Sequence, residues 1–263
     1  MDRPDLRVVS HDLGMGPDPT YVIPLSDLHI GAGFNERKFA GYRDWILERD
    51  NAYCVVLGDV IDNAIKESIG DTYGTMRPKE QKALAVEVLA PLAERGKILA
   101  WLDGNHEVRT SKRTDEFVGE TITRQLGIYD VYDPDGMFMF LSVGWDRKHN
   151  KKSRNTYSFF MLHGYTGART ISGKAKSLED MKLSVFADIY LAAHAHQKIV
   201  FPSYRVLPEG RTKTLRYTKS MHIMAGSFQQ WAGYAVRKNY QPTPMGSPRI
   251  RLDSTRKDVH VSI

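Results

Sequence analysis

Short apolar runs alternate with amphipathic stretches through the first half of the chain. Residues 21–25, 53–57 and 98–102 are continuous apolar segments and read as strands. Between them, Phe39, Tyr42, Trp45 and Ile46 recur at helical spacing after Asn35, an expected N-cap. A second helix is predicted from Pro78, which suits the first helical position. Leu84, Val88, Leu89 and Leu92 line its inner face, Pro91 lies inside it, and Gly96 follows as its closing residue. A third helix is predicted over 111–126, closed by Gly127. This alternation predicts an α/β fold.

The pattern changes after residue 136. Residues 137–143 and 156–162 read as an antiparallel pair, with 146–155 as a long hairpin tip carrying Arg147, Lys148, Lys151, Lys152 and Arg154. Residues 189–192 form another apolar run, and beyond 197 short strands are expected to alternate with turns such as Pro208-Glu209-Gly210. Pro242, Pro244 and Pro248 mark an irregular segment. No repeat or linker divides the chain, so 1–263 is expected to form one domain.

Composition agrees with a packed globule, since 41% of the residues are hydrophobic and 10% aromatic. A chain of this length buries roughly 70–75% of its unfolded surface. Cys54 is the single cysteine, which excludes an intramolecular disulfide and suits a small buried side chain. The first ten residues are charged and lack the apolar core of a signal peptide. No apolar run approaches the ~20 residues that cross a bilayer, so a soluble, cytoplasmic protein with no membrane partner is expected. Charge is uneven. Residues 1–146 carry 16 basic and 25 acidic side chains, a net −9, whereas 147–263 carry 21 and 6, a net +15. Such a swing predicts a basic face suited to a polyanion.

The residues that carry chemistry follow the predicted strands. Ser26-Asp27-Leu28-His29, Gly58-Asp59-Val60-Ile61-Asp62, Asp103-Gly104-Asn105-His106-Glu107, His163-Gly164 and Ala193-His194-Ala195-His196 each begin where an apolar run ends. Strand ends in an α/β sheet open into a common crevice, where residues distant in sequence can meet. In an extended segment alternate residues face one way, so Asp27 and His29 can reach the same ion, and His194 and His196 are similarly matched. Imidazole with carboxylate suits manganese, iron or zinc, and Asp59 is the candidate bridge between two ions. Each motif alone has an ordinary reading: surface decoration for Asp-x-His, a turn for Asp59 and Asp62, a core histidine for His163. Together they hold five of the nine histidines.

The order Asp-x-His, Gly-Asp-x-x-Asp, Gly-Asn-His-Glu, His and x-His-x-His resembles the calcineurin-like metallophosphoesterase superfamily over residues 27 to 196. The resemblance implies two facing mixed β-sheets flanked by helices, an α/β/β/α sandwich. It implies one divalent ion held by Asp27, His29, Asp59 and His196, and a second by Asp59, Asn105, His163 and His194. It places His106 beside the leaving group, with Asp62 or Glu107 orienting it, for hydrolysis of a phosphoester. Two departures stand out. Ala193 replaces a frequent glycine, and Asn63-Ala64 replaces the Arg-Gly of the phosphoprotein phosphatase branch. The loop His163-Gly164-Tyr165-Thr166-Gly167 also resembles phosphoesterases of phage genomes.

The substrate expected from the basic second half is DNA or RNA, cut by a phosphodiesterase or nuclease. Arg169, Lys174 and Lys176, in the loop after His163, are candidates for its phosphates. Tyr165, Tyr217, Trp231 and Tyr234 are candidates for stacking on bases. A phosphomonoesterase or small-molecule phosphodiesterase is the alternative. A non-catalytic scaffold, as in the retromer subunit of this fold, is a third reading that needs neither a complete ligand set nor His106.

Overall fold

The computed structural model describes residues 6–14, 16–64, 76–144, 154–232, 236 and 241–263. Of the expected basic tip, only Arg154 and Asn155 fall within them, and Tyr234 lies outside.

The first half forms as its pattern predicts. Strands β2 (Thr20–Leu25), β3 (Ala52–Leu57) and β4 (Ile98–Leu102) are adjacent and parallel. Helix α1 (Glu36–Leu47) starts at Asn35, whose side chain accepts the Lys38 amide. Helix α2 (Pro78–Glu94) runs through Pro91 and ends before Gly96, which has φ +60°. The helix expected over 111–126 divides into α3 (Val108–Ser111) and α4 (Val118–Gln125). The cause is local. Residues 112–116 offer no apolar side chain, and the Thr114 hydroxyl accepts the Glu116 amide in a turn that competes with helix.

Two six-stranded mixed sheets result. One is completed by β5 (Tyr132–Asp133) beside β4, and by β11 (Arg249–Leu252) and β12 (Val259–Ser262) beyond β2. The other comprises β1 (Arg7–Asp12), β6 (Met137–Val143), β7 (Asn155–Met161), β8 (Ile189–Ala192), β10 (Thr214–Met224) and β9 (Ile199–Glu209), in that order. Strands β6 and β7 form the expected antiparallel pair, and β7, β8 and β10 run parallel. Of the short strands expected after 197, β11 and β12 are present, but residues 199–224 instead form two eleven-residue strands paired along their whole length, with Pro208 and Glu209 inside β9. Proline is tolerated there because β9 is an edge strand.

Three apolar layers hold this together. Val55, Leu57, Leu99 and Leu102 of the first sheet meet Met139, Leu141, Phe159 and Leu191 of the second. Alternate residues Cys54 and Val56 turn instead toward Phe39, Ile46, Leu89 and Ile122 of the helices. Strands buried on both faces explain the uninterrupted apolar runs. On the far side, Leu178 and Met181 of α5 (Ile171–Ser184) cover Phe160 and Tyr190. This helix replaces the loop expected around Lys174 and Lys176, and Thr170 caps it by accepting the Gly173 amide. The fold is therefore the α/β/β/α sandwich that the motif resemblance implies.

Parallel neighbours put the ends of β2, β3 and β4 at one edge, where Gly58 (φ +83°) lets the β3 end approach the β4 end. A Cβ there would lie 2.3 Å from the Gly104 amide nitrogen. Gly58→Ala is expected to cost about 3 kcal/mol or more, because backbone must shift on both strands. Gly41→Ala, in α1 with open space around it, should stabilise by about 0.5–1 kcal/mol. Urea unfolding of the two variants checks both signs.

Candidate metal centre

Backbone pairing continues past the strands. The Asp27 amide donates to Gly58 O (3.0 Å), His29 to Asp59 O (3.1 Å) and Ile30 to Val60 O (3.0 Å). The segments nevertheless are not extended as expected. Asp27, His29, Asp59, His194 and His196 all lie in the left-handed region, at φ 51°, 48°, 50°, 66° and 53°. Asp and His enter this region more readily than most residues, and backbones held there cluster at functional sites. Around His194 the Ala195 amide donates to Ala193 O (2.7 Å), a tight positive-φ γ-turn. Each pair of side chains thus converges by a sharp turn, and not by strand alternation.

Two groupings result, Asp27 with His29 and His196, and Asp59 with His163 and His194. Each aspartate ties one oxygen to backbone and turns the other inward. Asp27 Oδ2 accepts the His194 amide (3.2 Å) and Asp59 Oδ1 the His106 amide (2.9 Å). Asp27 Oδ1 then faces His196 Nε2 at 3.1 Å, and Asp59 Oδ2 lies 3.3 Å from His163 Nε2 and 3.9 Å from His29 Nε2. Asn105 Oδ1 stands 3.2 Å from His163 Nε2 and 2.8 Å from His194 Nδ1. The structure brings all seven expected ligands together, with Asp59 between the groupings.

The donor set fits divalent ions. Ligand bonds of about 2.0–2.2 Å place neighbouring donor atoms roughly 3–3.6 Å apart. Beyond the carboxylate contacts, His29 and His196 oppose their Nε2 atoms at 3.1 Å, where at most one proton can lie between them. Buried Asp27 Oδ1 and His29 Nδ1 have no hydrogen-bond partner of good geometry. A third grouping, His29 with Asp62 and His106, shares His29 with the first.

Electrostatics point the same way. Burial opposes ionisation of Asp59, yet His163, His106 and His29 hold its carboxyl well below the usual range. Burial, then the charges of His106 and His196, push His29 down to about 3, leaving a neutral imidazole. Burial also acts against charge on His163, but Asp59 outweighs it and raises His163 to about 10. His163 Nδ1 meets Leu57 O at 2.6 Å, which leaves Nε2 facing the cluster.

His106 stands at the edge of this cluster, its Nε2 3.8 Å from Asp59 Oδ2. Its Nδ1 is 2.7 Å from the Asp62 carbonyl and 3.4 Å from Asp62 Oδ1. Arg109, not singled out from sequence, donates to Asp62 O (3.1 Å) and approaches His106 Nε2 at 2.9 Å. With Nδ1 donating to Asp62, Nε2 is the acceptor in that contact. Asn63, at the position of the departure from the phosphatase branch, donates to His106 O and Thr110 Oγ1. Its glycine-like φ of 45° and partners 43 and 47 residues away left no sequence signal.

Glu107 does not orient His106. Its buried carboxylate accepts four backbone amides, those of Asp59 (2.9 Å), Val60 (2.8 Å), Ile61 (3.2 Å) and Gly104 (2.8 Å). Asp103 is buried nearby, with Tyr132 donating to its Oδ2 at 2.8 Å. Burial and the charge of Glu107 push Asp103 well above the usual carboxylate range.

Of the phosphate candidates, Lys174 donates from α5 to Ala195 O (3.1 Å), inside the His194–His196 turn. Lys176 pairs with Asp180 (2.7 Å) on the exposed side of the helix, and Arg169 is exposed before it. Arg154 pairs with Asp12. Tyr165 is 88% exposed beside the site, its ring nearly parallel to His194 at 6.2 Å. Among the described residues no helix is long and apolar enough to cross a membrane.

Two substitutions separate these roles. Glu107→Gln places an amide against inward-pointing N–H groups and is expected to cost about 1–3 kcal/mol. Asp103→Asn is expected to be neutral or stabilising at pH 7. Because folding raises the Asp103 pKa, wild-type stability is lost as pH climbs above the unfolded value near 3.8, and the asparagine variant escapes that loss. Thermal melts of both variants from pH 4 to 8 check the order, with the Asp103→Asn advantage shrinking toward pH 4.

No family model and no curated protein matches this chain. Solved structures with similar backbones include a metallophosphoesterase from Sphaerobacter thermophilus, 13% identical, with 92% of this chain and 87% of that one covered at a TM-score of 0.42. Another is the calcineurin-like phosphoesterase YfkN from Bacillus subtilis, 10% identical, covering 93% and 90% at 0.41. A third is a conserved uncharacterised protein described as a predicted phosphoesterase from Streptococcus pneumoniae TIGR4, 14% identical, covering 94% and 90% at 0.39.

Proposed function

We propose that this protein is a metal-dependent phosphoester hydrolase whose substrate is a nucleic-acid phosphodiester. One observation carries the catalytic reading: seven ligand-type side chains from five strand ends converge in two groupings around Asp59. Asp27, His29, Asp59 and His196 would hold one divalent ion, and Asp59, Asn105, His163 and His194 a second, of the manganese, iron or zinc class. Bound there, such ions supply Lewis-acid polarisation of phosphoryl oxygens and activation of water.

The chain's own residues supply the rest. His106, fixed by Asp62, is positioned to give a proton to the departing oxygen or to stabilise its charge. Burial works against charge on His106, but Asp62 and Asp59 outweigh it and raise its pKa, against the opposing charge of Arg109. Arg109 holds the Asp62 carbonyl and lies on the Nε2 side of the ring, where it adds positive charge for phosphoryl oxygens.

The nucleic-acid part of the reading is supported by the +15 charge of residues 147–263, by the Lys174 ammonium at the His194–His196 turn, and by exposed Tyr165. Phosphate-tracking cations beside an exposed aromatic ring suit a polynucleotide better than an isolated phosphate.

His106→Ala should retain its metal and lose about 10²–10⁴-fold in kcat, whereas Asp59→Asn should lose metal by elemental analysis. Unchanged kcat in His106→Ala removes that residue from the chemistry. The assay uses manganese-loaded protein against single- and double-stranded DNA, RNA, cyclic nucleotides, and aryl phosphate mono- and diesters. Turnover of the aryl monoester alone would replace the nucleic-acid reading with a phosphomonoesterase.

A further inference from the structure

Strands β9 and β10 form an antiparallel arm whose root adjoins the metal centre, since β9 begins three residues after His196. At about 3.4 Å per residue, eleven residues carry it roughly 35 Å along the strand direction. Its outer half is unusual. Tyr204, Val206 and Pro208 of β9 oppose Lys219, Tyr217 and Leu215 of β10 in register, so all six side chains share one face. Tyr204, Val206, Leu215 and Tyr217 are 67%, 47%, 61% and 73% exposed. The tyrosines are diagonal neighbours across the strand pair, within reach of one another.

Charge selects the occupant. Residues 199–224 carry five basic side chains, Arg205, Arg211, Lys213, Arg216 and Lys219, against Glu209 as their single acid. Arg216 pairs with Glu209 and Lys219 with Asp258, while Arg211 and Lys213 at the tip make no ion pair among the described residues. Two copies of so basic an arm repel one another. Pro202 and Pro208 also remove amide donors from β9, which blunts edge-to-edge strand addition by a second chain. Exposed aromatic rings on a sheet face, bordered by unpaired cations, instead match the planar bases and phosphates of a single strand.

We propose that the outer face of the β9–β10 arm is a docking platform for single-stranded nucleic acid, with bases stacked on Tyr204 and Tyr217 and phosphates held by Arg211 and Lys213. This deepens the nucleic-acid reading of the proposed function and rests on it. The platform lies along the strand from the metal centre, so it engages nucleotides away from the cleaved bond. Long substrates therefore feel it and small esters do not.

The test uses the full chain and a fluorescent oligothymidylate of roughly 16 nucleotides, the upper range of a small platform. Binding is read by anisotropy in EDTA, so that it does not depend on the metal centre, and turnover is read on an aryl phosphodiester with manganese. The double variant Tyr204→Ala/Tyr217→Ala should bind the oligonucleotide about tenfold or more weakly. Arg211→Glu/Lys213→Glu should reduce the salt slope of binding by about 1 to 1.5. Both should turn over the aryl ester as wild type does, which also shows that they fold. Unchanged oligonucleotide affinity in both variants overturns the proposal, as does wild type that hydrolyses the aryl ester but does not bind the oligonucleotide. A change from dimer to monomer in the tyrosine variant, with oligonucleotide affinity intact, overturns it in favour of a self-association face. Oligonucleotide binding that depends on the arm in a protein inert toward every ester would leave the platform standing and remove the hydrolase reading.

Discussion

The carboxylate of Glu107 lies where three successive amides after β3 and one amide after β4 all point inward, and it accepts every one of them. A buried charge costs several kcal/mol unless it is met by partners, and four hydrogen bonds from backbone amides offset part of that cost, although burial and the charge of Asp59 still raise the Glu107 pKa. Removing water from those amides without Glu107 would leave four orphan donors in the core. The contact therefore clamps two strand ends into one rigid unit, and Asp59 is the first residue of that unit. From Asp59 both ligand groupings extend, one through His29 and the other through His163. Gly58 and Gly104 make the clamp possible, since a Cβ on either would strike the opposing strand end.

A second constraint is electrostatic balance. The loops after β2 and β3 contribute Asp27 and Asp59, while those after β7 and β8 contribute His163, His194 and His196. The site thus lies at the seam between an acidic first half and a basic second half of the chain. Asp59 keeps His163 charged at neutral pH, whereas His29 stays neutral because of burial first and then the charges of His106 and His196. Cation binding would replace the proton on His163, so the same carboxylates that hold that proton are suited to hold an ion. From the basic half, α5 brings Lys174 to the Ala195 carbonyl and β9 begins three residues after His196, while the acidic half contributes the His106–Asp62–Arg109 group.

Legibility in the sequence followed how local each determinant was. Strands β2, β3 and β4 were readable because burial on both faces leaves uninterrupted apolar runs. Helices α1 and α2 were readable from their spacing and their end residues. Strand β1 was not, and the short strands β11 and β12 were expected without their positions, because β1 and β11 gain their hydrogen bonds from partners far along the chain, β6 and β2. The length of β9 and β10 was hidden by exposed prolines and charges that an edge arm tolerates and a central strand would not.

The sequence by itself determined which ligand-type side chains are present and their placement after strand ends, because side-chain types and apolar runs are written residue by residue. It also determined the charge asymmetry that frames the site. Only the tertiary structure decided how those ligands turn toward one another. The left-handed backbone at Asp27, His29, Asp59, His194 and His196 is held by hydrogen bonds between loops, and no residue states it in advance. Likewise Glu107 and Arg109 acquire their roles from amides, a carbonyl and an imidazole that come near them only when separate strands are packed side by side.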